Sequence, residues 1–249
     1  MIFIDLQEVT VSFPLYDVST RSLKNSLMRV ATGGRISSSS NHVVVVDSLR
    51  NISFTLQHGD RLGLIGHNGA GKSTLLRVLA GIYQPLQGSV KIEGSVVPLF
   101  EMSLGMDMDA TGYDNIKIRA ALLGIRPRQL EMLLDDIVNF TDLGNYLHMP
   151  LRAYSQGMMM RLAFAVSTAI SPDILLLDEW IGVGDAHFIK KAEDRMNAMV
   201  AKTGILVLAS HNNSLLREVC NKGLVLEHGE ALFFGEIGEA LAHYEAKVI

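Results

Sequence analysis

The chain has 249 residues, 48% of them hydrophobic, which is enough to bury a full core and excludes disorder throughout. Its formal net charge of −4 is small and spread along the sequence, so it lacks the long-range positive field of a sequence-independent nucleic-acid binder. A single cysteine, Cys220, rules out an internal disulfide and suits a reducing cytosol.

In chain order, the apolar start at residues 1–4 is interrupted by Asp5 before it reaches the length of a signal-peptide core. Residues 17–43 fit no regular pattern: they hold Arg21, Lys24, Arg29 and Arg35, the pair Gly33 and Gly34, and serines from Ser37 to Ser40. This segment reads as an inserted loop, either a solvated excursion or a basic surface element near lipid headgroups or a partner. Arg61–Ile65, residues 174–177 and Ile205–Ala209 are nearly continuous apolar runs, as expected of strands buried on both faces, and they alternate with helical stretches. This predicts an α/β layered sheet. Between residues 111 and 170 the strand signal vanishes and helical spacing takes over at 116–123 and 129–140, so 103–170 is expected to be a helical subdomain. Thr111 followed by Asp114 resembles a capping box for the first of these helices. The most apolar window, 162–177, is broken by Ser171, Pro172 and Asp173 and falls short of the roughly 20 residues that cross a bilayer, so membrane association must come through a partner. Residues 236–249 read as one terminal helix.

The run after residue 65 is Gly66, His67, Asn68, Gly69, Ala70, Gly71, Lys72, Ser73, Thr74, followed by a helical stretch from Leu75. Strand, glycine-rich loop and helix in that order form a phosphate cradle. The glycines let backbone N–H groups point inward and the helix offers its positive N-terminal end. Lys72 reaches the terminal phosphates and Ser73 supplies an oxygen to magnesium, whereas His67, at a variable position, contributes backbone only. Asp178 and Glu179 end the strand 174–177 at the edge where ligands of parallel sheets bind. Asp178 is expected to hold magnesium and Glu179 to orient and polarise the water that attacks the γ-phosphate of ATP.

Tyr154, Ser155, Gln156, Gly157 and Met158, opening an apolar helix at 159–169, resemble the signature of the ABC ATPases. The family pattern is Leu, Ser, Gly, Gly, Gln; Ser155 and Gly157 match it, while Tyr154, Gln156 and Met158 depart from it. A serine hydroxyl and a bare glycine N–H at a helix start can hold a phosphate. Further elements follow in the family's order: Asp185 at the D-loop position, His211 at the switch position after Ile205–Ala209, and Glu101 where most of the family has the glutamine of the Q-loop. The resemblance implies a P-loop NTPase of ABC type, with a mostly parallel sheet core, an antiparallel β region and the helical subdomain within a single domain 1–249. It implies ATP and Mg2+ as ligands, with Ser73, Glu101 and Asp178 on the metal, and Ser155, Gln156, Gly157 and Asp185 on the nucleotide. His211 would touch the γ-phosphate and help hold Glu179. An aromatic from the end of the first strand, Phe13 or Tyr16, would stack on adenine; either side chain is equally suited to core packing.

Glu101, Leu104 with Gly105, the Tyr–Ser–x–Gly–Met form of the signature and Asp–Glu–Trp–x–x–Val–Gly–Asp through the D-loop are similar to the polysaccharide exporters of the O-antigen, capsule and teichoic-acid type. That subfamily implies a homodimer on the cytoplasmic face of the inner membrane, beneath two copies of a separate integral-membrane subunit, driving export of lipid-linked polysaccharide. No C-terminal carbohydrate-binding domain is expected. Two rivals share the ATPase motifs: an exporter of drugs, lipids or hemes, and a soluble ABC ATPase acting on DNA or ribosomes. The second is disfavoured because 74–155 holds one compact helical subdomain with no long coiled coil.

Overall fold

The computed structural model describes residues 1–15, 36–38, 44–100, 102, 104–179 and 186–248. Tyr16, Glu101 and Asp185 lie outside the described residues, as does the segment 17–43 apart from Ile36–Ser38. In chain order the elements begin with β1 (Phe3–Leu15), β2 (Ile36–Ser38), β3 (Val44–Gln57), β4 (Arg61–Ile65), α1 (Lys72–Leu79), β5 (Gln87–Glu93) and β6 (Val96–Pro98). There follow α2 (Gly112–Leu122), α3 (Pro127–Thr141), short 3-10 turns at Gly144–His148 and Leu151–Ala153, α4 (Gln156–Ser167), β7 (Ile174–Asp178) and α5 (Ala186–Lys202). The chain ends with β8 (Ile205–Ala209), α6 (Asn213–Val219), β9 (Lys222–Glu227), β10 (Glu230–Glu236) and α7 (Ile237–Val248). It divides into two compact units, one of Met1–Gly94, Leu176–Glu179 and Gly204–Ile249, the other of Ser95–Leu175 and Trp180–Thr203.

The first unit carries an antiparallel sheet in the order β2-β3-β1-β5. Alternation along β1 buries Ile4 and Leu6, then slips phase so that Val9 and Val11 are buried instead. The cause is a bulge: Glu8 adopts φ 51, and the pairing with β3 shifts between Leu6↔Phe54 and Val9↔Ile52. In the same unit, β4 lies between β8 and β9, parallel to both, and β10 closes back antiparallel on β9. Every residue of β8 is buried, as are Leu62, Leu64 and Ile65 of β4, which is why these runs read as continuously apolar. Each such side chain contributes on the order of 1.5–3 kcal/mol relative to exposure. Helix α7 lies so close to β9 that a Cβ on Gly223 would stand 2.4 Å from the Cβ of Ala240.

The second unit is mostly helical. Phe140 of α3, Phe164 of α4 and Phe188 of α5 form its aromatic centre, with ring centroids 5.5–6.1 Å apart. Arg195 lies 4.3 Å over the Phe140 ring while pairing with Asp136 and donating to the carbonyl of Thr168. Thr111 caps α2 by accepting from the Asp114 N–H at 3.2 Å. The expected reciprocal bond differs: the Asp114 carboxylate accepts from the Thr111 hydroxyl at 2.6 Å rather than from its backbone N–H, because Asp is a methylene shorter than Glu. Helix α4 begins three residues earlier than the apolar stretch alone suggests, since Ser155 supplies the cap and makes residues 156–158 helical.

Candidate nucleotide-binding site

Strand β4 runs directly into the glycine-rich loop, and α1 starts at its end without a side-chain cap. Gly71, the residue before α1, has φ 115, and a Cβ there would stand 2.9 Å from Leu49 Cδ2 and 3.0 Å from the Ser48 carbonyl. Only glycine fits both the torsion and the space. The uncapped N–H groups at the start of α1 therefore face outward, ready for an anion.

Lys72 is 8% exposed and donates from Nζ to the carbonyls of Gly66 and His67. Burial pulls its pKa below the usual lysine range, and the nearby Asp178 and Glu179 carboxylates pull it partly back up. His67 itself turns aside, with Nδ1 2.7 Å from the Asn68 carbonyl and its ring 5.2 Å from that of His228. At the far wall, Ser73 Oγ donates to Asp178 Oδ2 at 2.8 Å, and the hydroxyls of Ser48 and Thr74 share a hydrogen bond of 2.7 Å.

Glu179, the residue after β7, has φ 71, a conformation that costs a non-glycine residue roughly 1–3 kcal/mol. Its N–H donates to the Ala209 carbonyl at the end of β8, which fixes the turn. Among the described residues the carboxylate is gripped at one oxygen: Oε2 accepts from Ser210 Oγ at 3.1 Å, while Oε1 lies 4.0 Å from His211 Nε2. Both side chains are about half exposed. Ser48, Asn68, Gly69, Ala70, Gly71, Lys72, Ser73, Thr74, Asp178, Glu179 and His211 line one open cavity of about 420 Å³. Hard oxygens from Ser73 and Asp178 on its wall form a donor set suited to a divalent cation that keeps water and phosphate as its other ligands.

The structure thus brings the loop, the acidic pair and His211 together. Gly66 and His67 contribute carbonyls to Lys72 without lining the cavity. Phe13 does not line it either; it packs edge-on against Tyr83 at 5.2 Å. Ser48, on the cavity wall, and Ser210, on the Glu179 carboxylate, belong to none of the sequence motifs. Ser210 had a signal, standing between β8 and His211, but Ser48 had none, because only the approach of β3 to α1 gives it a neighbour in Thr74. In the second unit, Ser155 Oγ accepts from the Met158 N–H at 3.2 Å, and among the described residues Gly157 has nothing near its would-be Cβ except Ser155 Oγ at 3.9 Å. Ser155, Gly157, Met158 and Arg161 line a second open cavity, about 400 Å³, with Asp142, Leu143 and Tyr146.

The description of the ABC transporter family matches residues 49–182, more than half of the chain and the stretch holding the loop, the signature residues and the acidic pair. The chain belongs to the ABC transporter family. It is an ATP-binding, ATP-hydrolysing subunit of that family. It is 50% identical over 223 residues to the O-antigen export system ATP-binding protein RfbE of Yersinia enterocolitica, covering 90% of this chain and 93% of that one. It is 33% identical to the O-antigen export system ATP-binding protein RfbB of Klebsiella pneumoniae, covering 95% and 94%. With the teichoic acids export ATP-binding protein TagH of Bacillus anthracis it shares 35% identity over 97% of this chain and 42% of TagH, so it spans less than half of that relative. Among solved structures, an ATP-binding subunit of an ABC transporter superposes with a TM-score of 0.68 at 19% identity, over 98% of this chain and 93% of that one. A dimeric ATP-binding cassette in a post-hydrolysis state bound to ADP and Pi superposes with a TM-score of 0.66 at 16% identity, over 94% and 98%. The ABC ATPase fold, a mixed α/β architecture with parallel and antiparallel sheets, is common to all three chains.

Proposed function

We propose that the chain powers export of lipid-linked polysaccharide of the O-antigen type, as a homodimer on the cytoplasmic face of the inner membrane beneath two copies of a separate membrane-spanning subunit. The observation that carries the reading is the half-gripped Glu179 carboxylate in the same cavity as Lys72 and the Ser73–Asp178 pair, in a chain 50% identical to an O-antigen export ATP-binding protein. No described helix is long and apolar enough to cross a membrane, so a membrane role requires a partner.

In this reading the N–H groups from Asn68 to Thr74 and the Lys72 ammonium hold the phosphates of ATP, Lys72 exchanging its loop carbonyls for phosphate oxygens. Ser73 and Asp178 hold Mg2+, with Glu101 a further oxygen donor. When bound, the ion neutralises charge on the phosphate oxygens. Glu179 orients and polarises the attacking water through Oε1, Ser210 steadies its other oxygen, and His211 faces the γ-phosphate. Asp185, Phe13 or Tyr16, and Ser155, Gln156 and Gly157 complete the site, the last three acting on the nucleotide held by the partner subunit. A neutral amide at Glu179 fills the same space without polarising water. Glu179→Gln, in the complex co-expressed with its membrane subunit, is expected to lower kcat by at least about 100-fold with little change in KM for ATP. The isolated variant should elute as a dimer in ATP. ATPase activity that persists in the variant, or that responds to DNA or ribosomes instead of the membrane subunit, overturns the reading.

A further inference from the structure

Ser48 brings β3 to the wall of the nucleotide cavity, and it does so from an irregular position in the sheet. Val11 of β1 pairs with Leu49, and the next residue, Ser12, pairs with Asp47. One step on β1 thus spans two on β3, and Ser48 is the extra residue of a bulge. A bulged residue leaves the ladder, which lets its side chain turn toward a neighbouring element. Here that element is α1: Ser48 Oγ lies 2.7 Å from Thr74 Oγ1. The backbone around the bulge fixes this position. A Cβ on Gly229 would stand 2.6 Å from the Ser48 carbonyl oxygen, and one on Gly71 would stand 3.0 Å from it, so two glycines admit the close approach. Gly229 also donates its N–H to the Ala70 carbonyl at 2.9 Å and accepts from the Arg50 N–H at 2.7 Å, which ties the glycine-rich loop, the β9–β10 turn and β3 together.

Two hydroxyls carry two protons, and the bond between Ser48 and Thr74 uses one of them, so the pair keeps a second O–H to present to a ligand. Ser73 differs, because its proton is committed to Asp178 Oδ2 at 2.8 Å. Successive residues point about 100° apart around a helix, which sets Ser73 toward the acidic pair and Thr74 toward Ser48. The cavity therefore has one wall with Asp178, Glu179 and His211 and another with a hydroxyl donor suited to an anionic oxygen. With the γ-phosphate at the first wall, the second meets the phosphate next to the nucleoside. Thr74 serves the phosphates with its backbone N–H, so its hydroxyl donates to Ser48 and the O–H left over is that of Ser48.

We propose that Ser48 is a further nucleotide-binding residue, whose hydroxyl accepts from Thr74 and donates to the phosphate next to the nucleoside. This rests on the placement of the phosphates proposed above. ATP and ADP both carry that phosphate, so the contact holds the two alike and acts on affinity rather than on hydrolysis.

The test is equilibrium binding of ATP and of ADP, each with Mg2+, to the full chain, together with the melting midpoint in the absence of nucleotide. Ser48→Ala should weaken ATP and ADP by the same factor, about tenfold, because a hydrogen bond to a charged oxygen is lost from each complex. The nucleotide-free midpoint should change little. Should Ser48→Ala fail to fold, Ser48→Cys, of similar shape but a weak donor, carries the measurement and should weaken both nucleotides at least about threefold. Affinity within about twofold of wild type in the variant that folds, or a loss for ATP with none for ADP, overturns the inference by itself. Wild-type ATP affinity in Lys72→Ala overturns the placement of the phosphates and this inference together.

Discussion

Glu179 holds its strained turn because two neighbours over-determine it: the Ala209 carbonyl takes its N–H and Ser210 takes one carboxylate oxygen. Ser210 also accepts from the Asn212 N–H at 3.2 Å, so one buried hydroxyl links the carboxylate to the turn that presents His211. Ser210→Ala removes that link but leaves the fold's apolar core untouched. It is expected to lower kcat about tenfold, with KM for ATP unchanged and a loss of stability of about 1 kcal/mol, measured by steady-state ATPase and thermal melting. At this scale the sequence was informative wherever chemistry demands a residue type at a fixed spacing: Lys72, Ser73, Asp178 and Glu179 were all legible from the loop and the acidic end of an apolar run. Phe13 was not resolved, since an aromatic at a strand end serves adenine or the core equally well, and here its ring packs on Tyr83.

The helices of the second unit owe their stability to packing more than to propensity. Phe140, at the end of α3, touches the rings of Phe164 and Phe188 and lies beneath both Lys191 and Arg195. Phe140→Ala is expected to cost about 3–5 kcal/mol, read as a lowered unfolding midpoint in denaturant. Helical periodicity located α2, α3 and α4, and the Thr111 and Ser155 caps were visible as residue types. The ends shifted by a few residues because caps and turns, rather than the apolar stripe, decide where a helix starts. The bulge at Glu8 had no sequence signal, since any residue can be forced to φ 51 when the strands on both sides demand a change of phase.

For the whole molecule, the signature residues provide a test of assembly separate from folding. Gly157 has open space around its would-be Cβ, so Gly157→Asp should leave the melting midpoint within about 0.5 kcal/mol of wild type. If Ser155 and Gly157 meet the partner's γ-phosphate, the added negative charge repels it. The Glu179→Gln, Gly157→Asp double variant should then stay monomeric in ATP on size exclusion, where Glu179→Gln alone dimerises.

The sequence by itself determined the chemistry and the class of fold: a phosphate cradle between a buried strand and a helix, two carboxylates at the end of another buried strand, and a histidine after a third. Those signals are local, because backbone torsions, capping and burial on both faces restrict residue types at short spacings. Tertiary structure alone decided which neighbours tune them. Ser48 meets Thr74 across 26 residues, and Ser210 meets Glu179 across 31. Such pairs depend on how strands order in a sheet and how helices pack, and hydrogen bonding between distant side chains leaves no periodic trace in a single sequence.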